Sequence, residues 1–385
     1  MPLSRRTYEI AACLVALAML AAMLALLAQA KGLLLANGQP LFGDFITFWS
    51  AGRAAIEGDA ALVHDRAFLF TLHEQAVPGV QFVGPWNSPP QFLLIVALFG
   101  TMPYPVAGIV FLAATGALYI YAAHKLLPDT RALIFAVTAP AALYHLGTVQ
   151  SGLHIAGISA LALYWLDARP RLAGGLVALL AIKPHLAIVW PLMLALTGRW
   201  RAFGVATLGS IAFAVIAGWA FGFDAYVRFF ENLSASQGLI SGQHVATPAY
   251  ASLYASALGL GLPQAAAIAM QALSATGALI AAIICFRSGE RTTQGAALCA
   301  ATLLVSPYLF FYDFTLLAVG AALLGAPRDR FETIAAVFAW GAGLSLALGY
   351  IAPLPLCPLA AWLVLAAALK RAGSAAPRPA PEPHT

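Results

Sequence analysis

The chain is 385 residues long and 62% hydrophobic, and only 9% of it is Asp, Glu, Lys or Arg, with a net charge of +5; a soluble domain carries about 25% charged residues. That composition excludes a soluble enzyme, and the long Ala/Leu/Ile/Val runs lack the alternation of barrel strands, so the backbone must satisfy itself in lipid as helices. An all-α polytopic membrane protein is expected, whose small basic clusters belong to membrane flanks and not to a nucleic-acid surface.

Those clusters are Arg5 with Arg6, Lys125 with Arg131, Arg169 with Arg171, Arg199 with Arg201, Arg287 with Arg291, Arg328 with Arg330, and Lys370 with Arg371. If each marks a cytoplasmic end, both termini lie inside and an even number of crossings separates successive clusters. The first span, 8–30, reads as an uncleaved anchor despite its "LAQA" ending, because the apolar run exceeds a signal-peptide core. Residues 31–90 then form an external loop. "QFLLIVALFG" is too short to span a core of about 30 Å, so it is expected to be re-entrant or interfacial, with the crossing made by 105–123. Residues 131–146 go out, "GTVQSGLH" turns, and 155–166 return. The run between Arg171 and Arg199 is split at Lys183-Pro184-His185 into two short helices, since proline breaks an α-helix. Residues 202–221 lead to a second outer loop, 251–262 lie along the surface, and 264–286 cross. A hairpin around "SPYLFFYD" and two spans flanking "YIAPLPLCP" bring the total to about twelve. The transmembrane domain is expected over 1–370. The Pro- and Ala-rich segment 371–385 is expected to be a disordered cytoplasmic tail. Cys13, Cys285, Cys299 and Cys357 show no metal or redox spacing and are read as buried packing. No GxxxxGK phosphate loop and no HExxH metal motif occurs, so neither a metal nor another cofactor is expected.

With this topology the unusual polar residues gather on the outer side. "LFGDFITFWSAGRAAIEGDAALVHD" carries Asp44, Glu57, Asp59 and Asp65 together with Arg53 and His64. The apolar spacing after Asp44 predicts a short amphipathic helix lying on the membrane and ended by Gly58. Asp44 begins it, where the helix dipole favours a carboxylate, and either capping or chemistry accounts for an acid there. Glu57, Asp59 and Asp65 read as solvated loop charges. Lys183, with apolar residues on both sides, must face a polar cavity or pair with an intramembrane carboxylate. Trp49, Asn87, Gln150, His154, His185, His244, Tyr308, Tyr312 and Asp313 complete the outward set. One external carboxylate among several cations suits a substrate with an anionic headgroup and a lipid tail, held with other membrane lipids at the outer interface.

Five segments in order carry a family resemblance: "GDFITFWSAGRAAIEGDAALVHD", "WNSPPQFLLIVALF", "GTVQSG", "IKPHLAIVWPLML" and "SPYLFFYDFTLLA". The chain resembles the bacterial family 87 glycosyltransferases over about residues 40–320, a family that includes mycobacterial polyprenyl-phosphate-mannose-dependent mannosyltransferases. The resemblance implies a GT-C type fold in the bacterial plasma membrane. It also implies transfer of a sugar, mannose by analogy, from a polyprenyl-phosphate donor to a lipid or glycan acceptor at the periplasmic face. By position it makes Asp44 the catalytic carboxylate. A base must lie within reach of the attacking hydroxyl, and Lys183, with Arg53 or His185, would stabilise the departing phosphate. His185 departs from the family pattern, where Gln is commoner, and "TVQSG" is less regular than usual. A transporter or flippase of a lipid-linked saccharide is the alternative that intramembrane Lys183 and proline-broken helices also suit.

Overall fold

The computed structural model describes residues 5–82, 84–240, 249–349, 351 and 354–374. Among them the regular structure is helical apart from three isolated bridges, and the chain is an all-α polytopic membrane protein.

Helix α1 (Arg5–Ala28) is apolar, and over Ile10–Ala28 almost none of it is buried in the protein. Cys13 is exposed on it, unlike the other three cysteines, which are buried as expected. The outer segment folds as α2 (Phe45–Glu57), a 3₁₀ turn at Ala60–His64, and α3 (Arg66–Ala76). After a 3₁₀ turn at Pro90–Phe92 come α4 (Leu93–Gly100), too short to span, and α5 (Tyr104–Leu126), which is long enough. A broken path of α6 (Thr130–Thr138), α7 (Pro140–Leu143) and α8 (His145–Thr148) precedes α9 (Gly152–Trp165). Helix α10 (Pro170–Leu179) ends in a 3₁₀ turn, and α11 (Pro184–Ala187) and α12 (Val189–Leu196) follow. The break falls at Lys183, which leaves helical conformation at φ −132°, ψ 75°, because Pro184 has no N–H with which to continue the helix.

The second half comprises α13 (Trp200–Phe221), α14 (Asp224–Ile240), α15 (Leu253–Gly259), α16 (Gln264–Ser288), α17 (Arg291–Val305), α18 (Thr315–Leu323), α19 (Arg330–Gly341), α20 (Ser345–Gly349) and α21 (Leu356–Ser374). Among the described residues, six segments are long and apolar enough to cross a membrane: Ile10–Ala28, Tyr104–Leu126, Trp200–Phe221, Gln264–Arg287, Arg330–Gly349 and Leu356–Ser374. The other expected crossings fall on shorter helices. The 15 residues of α17 rise about 22 Å, less than a hydrocarbon core of about 30 Å, and α17 is the centre of the bundle. Every residue from Thr293 to Leu304, and every residue of α18, is buried; helices apolar all round belong inside. Helices α16, α18 and α21 pack around α17.

Two expectations change. Helix α2 does not turn its apolar face to lipid. Phe45 and Ile46 are fully buried, and the apolar face meets protein aromatics, with Phe45 and Phe111 rings 5.1 Å apart and Phe48 and Phe92 rings 5.1 Å apart. The helix does end at Gly58, in left-handed conformation at φ 94°. At the other end of the chain, α21 runs past the expected boundary at residue 371 to Ser374. Arg371 holds it there, donating to the Glu332 carboxylate and the Leu324 and Ala326 carbonyls.

Candidate active site

Asp44 is positioned by the backbone that precedes it. Phe42 and Gly43 both take positive φ, 69° and 49°. Side chains rarely tolerate that region, so tertiary contacts must hold Phe42 in it. The Tyr104 hydroxyl donates to the Leu41 carbonyl, and Gly108 lies so close to the Phe42 ring that a Cβ there would sit 2.5 Å from it. Gly43 in turn rests on α8, where a Cβ would come within 2.9 Å of Thr148 Cα. These contacts carry Asp44 to the "GTVQSG" turn.

Although Asp44 precedes α2, its side chain makes no capping hydrogen bond. Instead Gln150 Nε2 donates to Asp44 Oδ2 at 3.2 Å. Asp44 keeps part of its surface open. Burial of the carboxyl raises it above the ordinary carboxylate range, against the opposing pull of the Gln150 hydrogen bond and the Lys183 charge.

Lys183 Nζ lies 3.0 Å from Asp313 Oδ1 and 5.2 Å from the Tyr312 ring centre. The pair is nearly out of solvent, the two side chains being 12% and 1% exposed. The second Asp313 oxygen accepts from the Phe310 backbone N–H at 2.9 Å. Of the two readings of Lys183, the one with a carboxylate partner is therefore met, by Asp313. Asp313 is delivered by the tip between α17 and α18, and that tip is tied to the strand-like stretch at Tyr250 by hydrogen bonds of Ala251 N to Leu309 O, 2.9 Å, and Phe311 N to Ala249 O, 3.2 Å.

A third group joins the same region. Asn87 Nδ2 donates to the Tyr308 hydroxyl at 3.2 Å, and Asn232 Nδ2 donates to Asn87 Oδ1 at 3.2 Å. The His185 and Tyr308 rings meet edge to face at 6.1 Å. Asp44 acts electrostatically on both Tyr308 and Tyr312, so the three groups lie within electrostatic reach of one another.

Other expected residues stand elsewhere. Arg53 is about 13 Å from Asp44 along the axis of α2. It pairs with Glu57 at 2.6 Å with both side chains exposed, so it is not brought to the cluster and Glu57 is not a free loop charge. Asp65 caps α3, accepting from Ala67 N and Phe68 N. Trp49 donates Nε1 to the Met102 carbonyl at 2.9 Å and packs on Tyr104, a structural use. His154 Nδ1 is buried without a hydrogen-bond partner. His244 lies outside the described residues.

Residues not singled out in the sequence also support the site. Ser151 holds the Gln150 amide. Tyr226 donates to Gln91 Oε1 at 3.0 Å, and Gln91 Nε2 reaches the Ala181 carbonyl at 2.9 Å, two residues before Lys183. His145 is fully buried, with Nε2 3.3 Å from Thr315 Oγ1. Its place just before "GTVQSG" was the signal available; Asn232 and Tyr226 had none, since their stretch reads only as part of an outer loop.

The family model for glycosyltransferase family 87 matches residues 86–307, a stretch that includes Asn87, Gln150, His154, Lys183 and His185 and begins after Asp44. No curated protein and no solved structure matches the chain. With more than half its length matched, this multi-pass membrane protein belongs to glycosyltransferase family 87.

Proposed function

We propose that this glycosyltransferase takes a sugar, mannose first among the options, from a polyprenyl-phosphate donor. It passes the sugar to a lipid or glycan acceptor at the periplasmic face of a bacterial inner membrane. The observation that carries this reading is the Asp44 carboxylate: it begins a helix yet does not cap it, and it is held by Gln150 beside Lys183.

In the proposed reaction Asp44, ionised, accepts the proton of the acceptor hydroxyl as that oxygen bonds to the anomeric carbon. The bond from the anomeric carbon to the phosphate oxygen breaks, its electron pair leaves with the polyprenyl phosphate, and the anomeric centre inverts. A lysine ammonium has three N–H donors. One meets Asp313, which leaves two for phosphate oxygens, where developing negative charge is stabilised in a poorly solvated setting. Tyr308, Asn87 and His185 line the approach to sugar hydroxyls. A donor that never leaves the bilayer explains why the catalyst is built almost wholly of membrane helices.

The test is transfer by purified protein in lipid vesicles containing radiolabelled polyprenyl-phosphate mannose and a membrane lipid extract. Label moving from the donor to a new lipid or glycan supports the proposal. Label crossing the bilayer while still attached to the donor would instead favour the flippase reading.

A further inference from the structure

The hydrogen bonds of Gln150 give it a task other than touching substrate. The backbone N–H of Ser151 can only donate, and it meets Gln150 Oε1 at 2.8 Å; the Ser151 hydroxyl donates to the same oxygen at 3.2 Å. That settles which end of the amide is oxygen. Nε2 is left facing Asp44 Oδ2, and an N–H directed at a carboxylate favours its charged form. The backbone aims the amide as well. Val149, immediately before it, sits at φ 45°, an outlier for a β-branched residue, and Gly43 and Thr148 clamp the two loops together main chain to main chain.

We infer that Gln150 is the positioning residue of the base: an amide locked in one orientation that fixes Asp44 and holds it ionised, leaving the second carboxylate oxygen for the acceptor hydroxyl. The inference rests on Asp44 being the base. The charged and titratable groups facing Asp44 are Lys183 from the break before α11, Tyr104 from α5, and Tyr308 and Tyr312 from the tip after α17. Asp313 stands behind Lys183. Burial raises the Asp44 pKa while Gln150 and Lys183 lower it, so loss of the amide leaves burial less opposed.

The experiment needs no substrate. Full-length protein containing isotope-labelled aspartate is reconstituted in lipid, and the protonated-carboxyl infrared band that disappears in Asp44→Asn is titrated. Gln150→Leu removes the donor and should raise the midpoint by about one pH unit or more, the worth of one hydrogen bond to a charged group. Gln150→Glu still accepts from Ser151 but sets a negative charge beside Asp44, so its midpoint should lie higher again. A merely structural glutamine would alter unfolding without producing that order. Midpoints of both folded variants coinciding with wild type would overturn the inference, and Gln150→Met, which also lacks the donor, takes the place of Leu if Leu does not fold. Turnover of Asp44→Asn judges the parent reading separately, because an active Asp44→Asn would remove Asp44 as base whatever its titration does.

Discussion

Lys183 and Asp313 form an ion pair nearly out of solvent, and such pairs are costly to break on one side only. Lys183→Met leaves the Asp313 carboxylate buried with only the Phe310 N–H, and should destabilise the protein by about 3–5 kcal/mol. Adding Asp313→Leu removes the orphaned charge, so the double variant should recover much of that loss. Denaturation in mild detergent measures the cycle, and additive losses would contradict the pairing. The recovered double variant should still transfer no sugar, since the lysine proposed to hold the donor phosphate is gone. The presence of an acid at Asp44 and a lysine at Lys183 could be read from the chain because charge is scarce in it. What each charge does could not. Gln150 is 106 residues from Asp44, and Asp313 is 130 from Lys183, so the choice between cap and base, or free cation and paired one, depends on contacts that no local pattern encodes.

Helix α2 is located by its contact with α4, and that contact is made of backbone. A Cβ on Gly52 would fall 2.1 Å from the Val96 carbonyl oxygen, and one on Gly100 would fall 2.4 Å from Gly52 C. Neither neighbour is the flexible end of a side chain, so Gly52→Ala must push the helices apart. It should cost about 1–3 kcal/mol, as overpacking does, and reduce transfer by moving Asp44, which begins the same helix. Gly116→Ala in α5 meets nothing within 4 Å and should leave activity unchanged and raise stability by about 0.5–1 kcal/mol through helix propensity. Parallel unfolding and transfer assays compare the two, and equal behaviour would count against the backbone contact. At this scale the sequence was a good guide to where helices break, as at Lys183-Pro184 and Gly58. It misled about what α2 faces: the spacing of Phe45, Phe48 and Gly52 marks an apolar side, but lipid and the aromatic cluster of Phe92, Phe99 and Phe111 demand the same side chains.

Across the whole molecule, four of the basic residues assigned to cytoplasmic ends meet acids in two groups. Arg199 and Arg291 both meet Asp167, at 3.0 and 3.2 Å, where α9, α13 and α17 end or begin. Lys370 meets Asp329, and Arg371 meets Glu332, where α19 begins and α21 ends. The pairs to Asp167 and Asp329 reach solvent and add little stability, so their worth lies in orientation, whereas Arg371 and Glu332 are buried together. With Cys13 replaced by serine, Glu74→Cys should react with an impermeant thiol reagent in intact cells and Gly373→Cys should not. The opposite pattern would invert the proposed topology. The composition was enough to define a multi-pass helical protein, but not the number of crossings, since helices such as α17 are too short to span alone and are legible only once buried.

Whether Asp44 serves as the proposed base or only as a helix cap is tested most directly by one variant. Asp44→Asn preserves shape, can still accept the Gln150 hydrogen bond through its amide oxygen, and remains as good a helix-start residue as aspartate. It loses only the ability to take a proton, which typically costs about 10²- to 10⁴-fold in rate. Purified Asp44→Asn, folded and binding donor, should therefore show turnover reduced by that factor at saturating donor and acceptor, whereas wild-type turnover under the same conditions would contradict the account.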